Sequence, residues 1–193
     1  VFRAARLGRC LMAQAPTGIG KTVGTLFPLL KACPEQELDK VFFLTAKTNG
    51  RGLGLDALAQ VRRTAPGLPL RVVEIVARDK ACVHPDKACH GESCPLAHGF
   101  YDRLPQARAD AVQRLGAAQS GQPAAPPSSA ALVADVAASH AVCPYYLGQE
   151  LVRWADVVVG DYNYFFDSSA FLHAMTAANQ WRVAVFLDAA HHS

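Results

Sequence analysis

Apolar residues in this chain gather in short unbroken runs separated by longer amphipathic stretches. Cys10–Ala15, Val41–Thr45 and Val183–Leu187 lack the period-two alternation of half-exposed strands and read as strands buried on both faces. Leu70–Val76 and Asp156–Gly160 are two further strand candidates. Helical patterning falls between them, at Lys21–Ala32, Leu53–Thr64, Tyr146–Ala155 and Ala170–Ala178. This alternation predicts an α/β fold, a parallel sheet flanked by helices.

Residues 82–143 break the alternation. They hold four cysteines, a predicted helix near Tyr101–Leu115 and the Ala-, Gln-, Gly-, Pro- and Ser-rich stretch Ala117–Ala130, which reads as a linker. The expected organisation is a first core segment at 1–81, an inserted domain at 82–143 and a second core segment at 144–193.

Composition narrows the picture. About half of the 193 residues are apolar, enough for one ordinary core plus an insertion. No apolar stretch approaches the roughly 20 residues of a membrane span, and the start is too short and basic for a signal peptide. The chain opens without Met and stops directly after an apolar run, so it reads as a piece of a longer protein. A net charge of +3 permits a nucleic-acid partner without requiring one. Six cysteines in a chain of cytoplasmic type argue for metal binding rather than disulfides.

The segment Ala15-Pro16-Thr17-Gly18-Ile19-Gly20-Lys21-Thr22 follows a predicted strand and opens a predicted helix. Small residues there let successive backbone N–H groups curl around phosphate oxygens. Lys21 is the cation that reaches the β- and γ-phosphates, and the Thr22 hydroxyl is the Mg²⁺ ligand. The positive end of the helix points at the same phosphates. This is a phosphate-binding loop, with Ala15 where the general pattern has Gly.

A nucleoside triphosphatase also needs a carboxylate at a neighbouring strand end to hold Mg²⁺. Asp188, after Val183–Leu187, suits that role. The next position, where helicase-type motors carry a water-activating Glu, is Ala189. A methyl group accepts no proton, so binding without efficient hydrolysis is expected.

Cys82, Cys89, Cys94 and Cys143 are separated by six, four and forty-eight residues, unlike the paired knuckles of structural zinc. Four thiolates are the usual ligand set of a [4Fe–4S] cluster. Zinc stays open on chemistry alone, because His84, His90 and His98 lie among the cysteines. Cys10 and Cys33 are expected to be buried packing residues.

Together these residues resemble the XPD/DinG branch of superfamily 2 DNA helicases. The resemblance is carried by Ala15–Thr22, by Phe43-Leu44-Thr45-Ala46-Lys47-Thr48 and by the four cysteines. Cys143-Pro144-Tyr145-Tyr146, the Ala155–Tyr164 segment and Asp188-Ala189-Ala190-His191, which stands where the family has Asp-Glu-Ala-His, complete it. It implies a RecA-like P-loop domain with an inserted, mostly helical [4Fe–4S] domain, acting as a monomeric ATP-dependent 5′-to-3′ helicase in repair or replication. ATP and Mg²⁺ would be held by Ala15–Thr22, Asp188 and His191. Single-stranded or forked DNA would be contacted by Thr45, Lys47, Thr48, Tyr162 and Tyr164, with Tyr145 as a further stacking candidate. The family's arch and second RecA-like domains are not among these residues. Two other functions remain in view: an ATP-gated DNA-binding protein without turnover, and a zinc-binding interaction module beside a nucleotide site.

Overall fold

The computed structural model describes residues 1–16, 18–46, 48–65, 67–84, 86, 89–120, 128–167 and 170–188. In chain order the elements are α1 (Phe2–Arg6), α2 (Lys21–Ala32), β1 (Lys40–Thr45), α3 (Thr48–Thr64), β2 (Val72–Glu74), α4 (Arg78–Ala81) and α5 (Phe100–Ser120). Then come α6 (Ser129–Ser139), α7 (Pro144–Glu150), a 3₁₀ turn at Leu151–Arg153, β3 (Val157–Asp161), α8 (Asn163–Phe166), α9 (Phe171–Asn179) and β4 (Val183–Asp188). The chain divides into two compact units, one of residues 1–68 and 156–193, the other of 69–155.

In the first unit β1 lies between β3 and β4, parallel to both. Its central place explains its composition: Val41, Phe42, Phe43 and Leu44 are at most 1% exposed. Successive side chains point to opposite faces. Phe43 stacks edge-on with its β4 neighbour Phe186 at 5.0 Å, while Phe42 meets Phe165 of α8 at 5.8 Å. Even Lys40 is buried, its ammonium resting over the Trp181 ring at 4.5 Å. The fold is α/β, as the alternation predicts.

Helix α3 packs against both β1 and β3. The approach is close because two positions on it have no side chain. A methyl at Gly54 would sit 2.6 Å from Phe43 Cε1, and one at Gly50 would overlap the Thr45 hydroxyl. Helix α2 packs against α3 and β4.

The expected strand at Cys10–Ala15 does not form; these residues have no regular structure, and Leu11 and Met12 are 51% and 93% exposed. An apolar run becomes a strand only by pairing its backbone, and the described backbone hydrogen bonds include no ladder here. Cys10, expected in the core, is exposed, and Cys33 is half-buried.

In the second unit α5 buries Leu104, Ala107, Ala111 and Leu115, a single stripe at helical spacing, against α6 and α7. The expected linker is partly helical. Its first residues end α5, and α6 begins at Ser129, capped by Ser128, whose Oγ accepts the Ala131 N–H at 3.1 Å. Residues 121–127 lie outside the described residues. Polar contacts tie the helices: Arg114 donates to Asp110 and Asp135, both at 2.8 Å, and His140 Nε2 lies 2.9 Å from the second Asp110 oxygen.

Candidate nucleotide-binding site

The loop before α2 takes its shape from two glycines. Gly18 and Gly20 have φ of 83° and 77°, a left-handed conformation that side chains resist, and Gly20 is the N-cap of α2. Gly20 has no side chain to cap that end, which leaves the first N–H groups of α2 uncapped by the N-cap residue and suited to an anion. Lys21, the first residue of α2, turns its Nζ back over the loop to donate to the Ala15 carbonyl at 3.0 Å. Pro16, Ile19 and Lys21 are exposed, and Ala15 and Thr22 are half-buried. The loop is an open, cationic rim at a helix N-terminus.

The sheet aligns a second set of groups. Thr45 ends β1, and the register places Asp161 of β3 on one side of it and Asp188 of β4 on the other. The C-terminal ends of the three parallel strands thus carry Asp, Thr and Asp in a row. Asp188 ends the strand on which α2 packs. Thr45 is 2% exposed, so its side chain belongs to the core rather than to a surface. Asp161 was missed as a strand-end carboxylate; its Oδ1 accepts the Asn163 N–H at 2.9 Å and turns the chain into α8. Tyr162 is 42% exposed and Tyr164 half-buried. Thr17, Lys47, Ala189 and His191, and the side chain of Thr48, lie outside the described residues.

All four clustered cysteines lie in the second unit, and none is in a disulfide. Cys82 ends α4, Cys94 is buried, Cys89 is exposed, and Cys143 is the N-cap of α7. Burial holds the Cys143 thiol above the ordinary thiol range, the N–H groups of Tyr146 and Tyr145 oppose this, and Cys82 and Cys89 are close enough to raise it further. Burial likewise raises the Tyr146 phenol, with Cys89 the next cause. The Arg78 guanidinium lies 4.0 Å from Cys89 Sγ. Three thiols, Cys82, Cys89 and Cys143, thus share one electrostatic neighbourhood. Among the described residues, however, no group of three or more His, Cys, Asp or Glu side chains is arranged to hold a metal ion.

The DEAD_2 family model matches residues 54–192, more than half of the chain. The chain belongs to the DEAD_2 family. This is the helicase domain found in XPD-type helicases, and it implies nucleotide-dependent, ATP-hydrolysing helicase activity with ATP and Mg²⁺ as ligands and nucleic acid as partner. The match starts at residue 54, so it does not include Ala15–Thr22. Among the described residues no single helix is long and apolar enough to cross a membrane.

Proposed function

We propose that this chain is the ATP-binding half of a 5′-to-3′ DNA helicase motor of the XPD/DinG type, working on single-stranded or forked DNA. The observation that supports this best is the loop itself. Left-handed Gly18 and Gly20 place Lys21 at the head of α2, beside the strand that ends in Asp188. The loop N–H groups and the Lys21 ammonium would take the phosphates. Thr22 and Asp188 would hold Mg²⁺, which when bound would neutralise phosphate charge. His191 would complete the strand-end motif. Lys47 and Thr48 would grip the DNA backbone, giving salt-dependent, sequence-blind binding, and Tyr162 and Tyr164 would stack on bases. With Thr45 in the core, its part is to shape the strand end on which these residues sit.

Ala189 favours a second reading of the same site. Removing a general base costs on the order of 100- to 10,000-fold in rate. In this reading the chain binds ATP and couples it to DNA affinity with little turnover. In the family the arginine finger comes from a second RecA-like domain, so the loop described here is one side of a composite site.

For residues 82–143 we propose an inserted domain in which Cys82, Cys89, Cys94 and Cys143 hold a [4Fe–4S] cluster. Bound there, the cluster would fasten segments distant in sequence to one another.

Titration with a fluorescent ATP analogue in the presence of Mg²⁺ tests the nucleotide reading. Saturable binding by the chain and markedly weaker binding by Lys21→Ala are expected; equal binding by both would overturn the role of the loop. Restoring Glu at 189 in a protein that also carries the second motor domain should raise DNA-stimulated turnover. Motor-like turnover already present with Ala189 would remove the second reading.

A further inference from the structure

His84 follows Cys82 by two residues, and its ring reaches across to the turn that carries Cys94. Its Nε2 lies 2.9 Å from the Ser93 carbonyl. A carbonyl only accepts, so Nε2 is the donor in this contact. Its Nδ1 is buried and, among the described residues, has no hydrogen-bond partner. Leaving a buried imidazole nitrogen unsatisfied is unfavourable, and an apolar ring of the same size would avoid it. The position therefore gains from its other nitrogen.

The Ser93 carbonyl is attached directly to the Cys94 backbone nitrogen, and that nitrogen donates to the His90 carbonyl at 2.9 Å. On the other side, the Cys82 thiol lies 4.0 Å from the His84 carbonyl. The His84 ring thus joins the Cys82-bearing segment to the Cys94-bearing turn, and Cys94 is only 7% exposed. We propose that His84 is a positioning residue: its Nε2–H pins the Cys94 turn against the Cys82 segment and so sets where the Cys94 thiol stands in the cysteine site. This rests on the cluster reading for its purpose but not for its geometry.

The test is timed alkylation of the reduced, metal-free full chain with N-ethylmaleimide, with each cysteine followed by peptide mass spectrometry. In His84→Met, similar in size but without an N–H, Cys94 labelling should accelerate about tenfold, the worth of one net hydrogen bond. His84→Gln, which keeps a donor at matching reach, should label as the parent does. Far-ultraviolet circular dichroism and the thermal midpoint should be unchanged in both, which separates local release from unfolding of the helical unit that carries Cys94. Unchanged Cys94 labelling in His84→Met would overturn the proposal. So would equally fast labelling in His84→Gln, because the donor would then not be what matters. Iron and acid-labile sulfide are measured in parallel after anaerobic purification. A parent chain that holds neither retires the cluster reading alone, while the labelling still decides the pin. Iron retention in His84→Met equal to the parent would overturn the link between the pin and the site.

Discussion

The side-chain amide of Gln119 meets both backbone groups of Val72: Nε2 donates to the Val72 carbonyl at 2.6 Å, and Oε1 accepts the Val72 N–H at 2.9 Å. Two residues on, the Glu74 N–H is taken by Ser129 Oγ at 2.9 Å. Side chains from the end of α5 and the start of α6 thus satisfy one edge of β2 as a neighbouring strand would. Val72 is 3% exposed, so water cannot replace them. Gln119→Ala should destabilise the protein by about 1–3 kcal/mol, the cost of an unsatisfied buried group. Urea denaturation reads this as a lower midpoint at unchanged slope.

Lys21→Ala should weaken ATP binding by roughly ten- to hundredfold, the range of a hydrogen bond to a charged group. Thermal unfolding should be little changed, because Lys21 is exposed. Isothermal titration with Mg-ATP separates the two effects. Comparable affinity in the variant would mean that the phosphates sit elsewhere.

Gly54→Ala places a methyl against the fully buried Phe43 ring at a spacing no side chain tolerates. The ring has nowhere to retreat within a packed sheet, so about 1–3 kcal/mol of stability should be lost. The same change at Gly52, where nothing lies within 4 Å, should be harmless or slightly stabilising. Paired thermal melts of the two variants provide the comparison.

Asp110 is held below the ordinary carboxylate range by its hydrogen bonds from Arg114 and then His140. A depressed folded-state value adds stability that is complete above the unfolded value, about 3.9, and is lost as pH falls through the folded value. Asp110→Asn should therefore lower stability near neutral pH, and the two stability curves should converge in acid below that point. Denaturation midpoints across pH check the convergence; parallel curves would show that the network contributes nothing through charge.

Cys33 should resist alkylation at pH 8 while Cys10 reacts readily. Burial first, and the Asp156 charge second, push the Cys33 thiol up to about 11. Its Sγ also donates to the Leu29 carbonyl at 3.3 Å. Little thiolate exists there to react. Per-residue mass spectrometry after a short iodoacetamide pulse distinguishes the two.

Much of this was legible in the sequence because it rests on local chemistry. Lys21–Ala32 reads as a helix from its apolar spacing and its glycine entry, and α2 has those same ends. Val41–Thr45, Asp156–Gly160 and Val183–Leu187 are runs dense enough in Val, Leu and Phe to declare β1, β3 and β4. Cys10–Ala15 carries a similar composition without becoming a strand, since pairing depends on a neighbour and not on the run itself. Helix α6 was hidden by its Ala- and Ser-rich approach, although Ser128 and the stripe of Leu132, Val133, Val136 and Ala137 carried its cap and its buried face. The ring of His84 was invisible for another reason: a His between cysteines reads as a ligand candidate, and only coordinates reveal the carbonyl it holds.

The bond from Lys21 to the Ala15 carbonyl occupies one of the three donors of its ammonium and, in the proposed role, would hold the head of the side chain over the loop before a phosphate arrives. Two donors remain for phosphate oxygens, so capture would add bonds to a cation already placed, and a neutral mimic of the phosphate chain would draw on little of its charge. Selectivity for highly charged ligands would in this sense be written into the loop. It would be strongest for the ligand with most negative charge at the distance Lys21 spans, and weakest for a nucleoside bearing none.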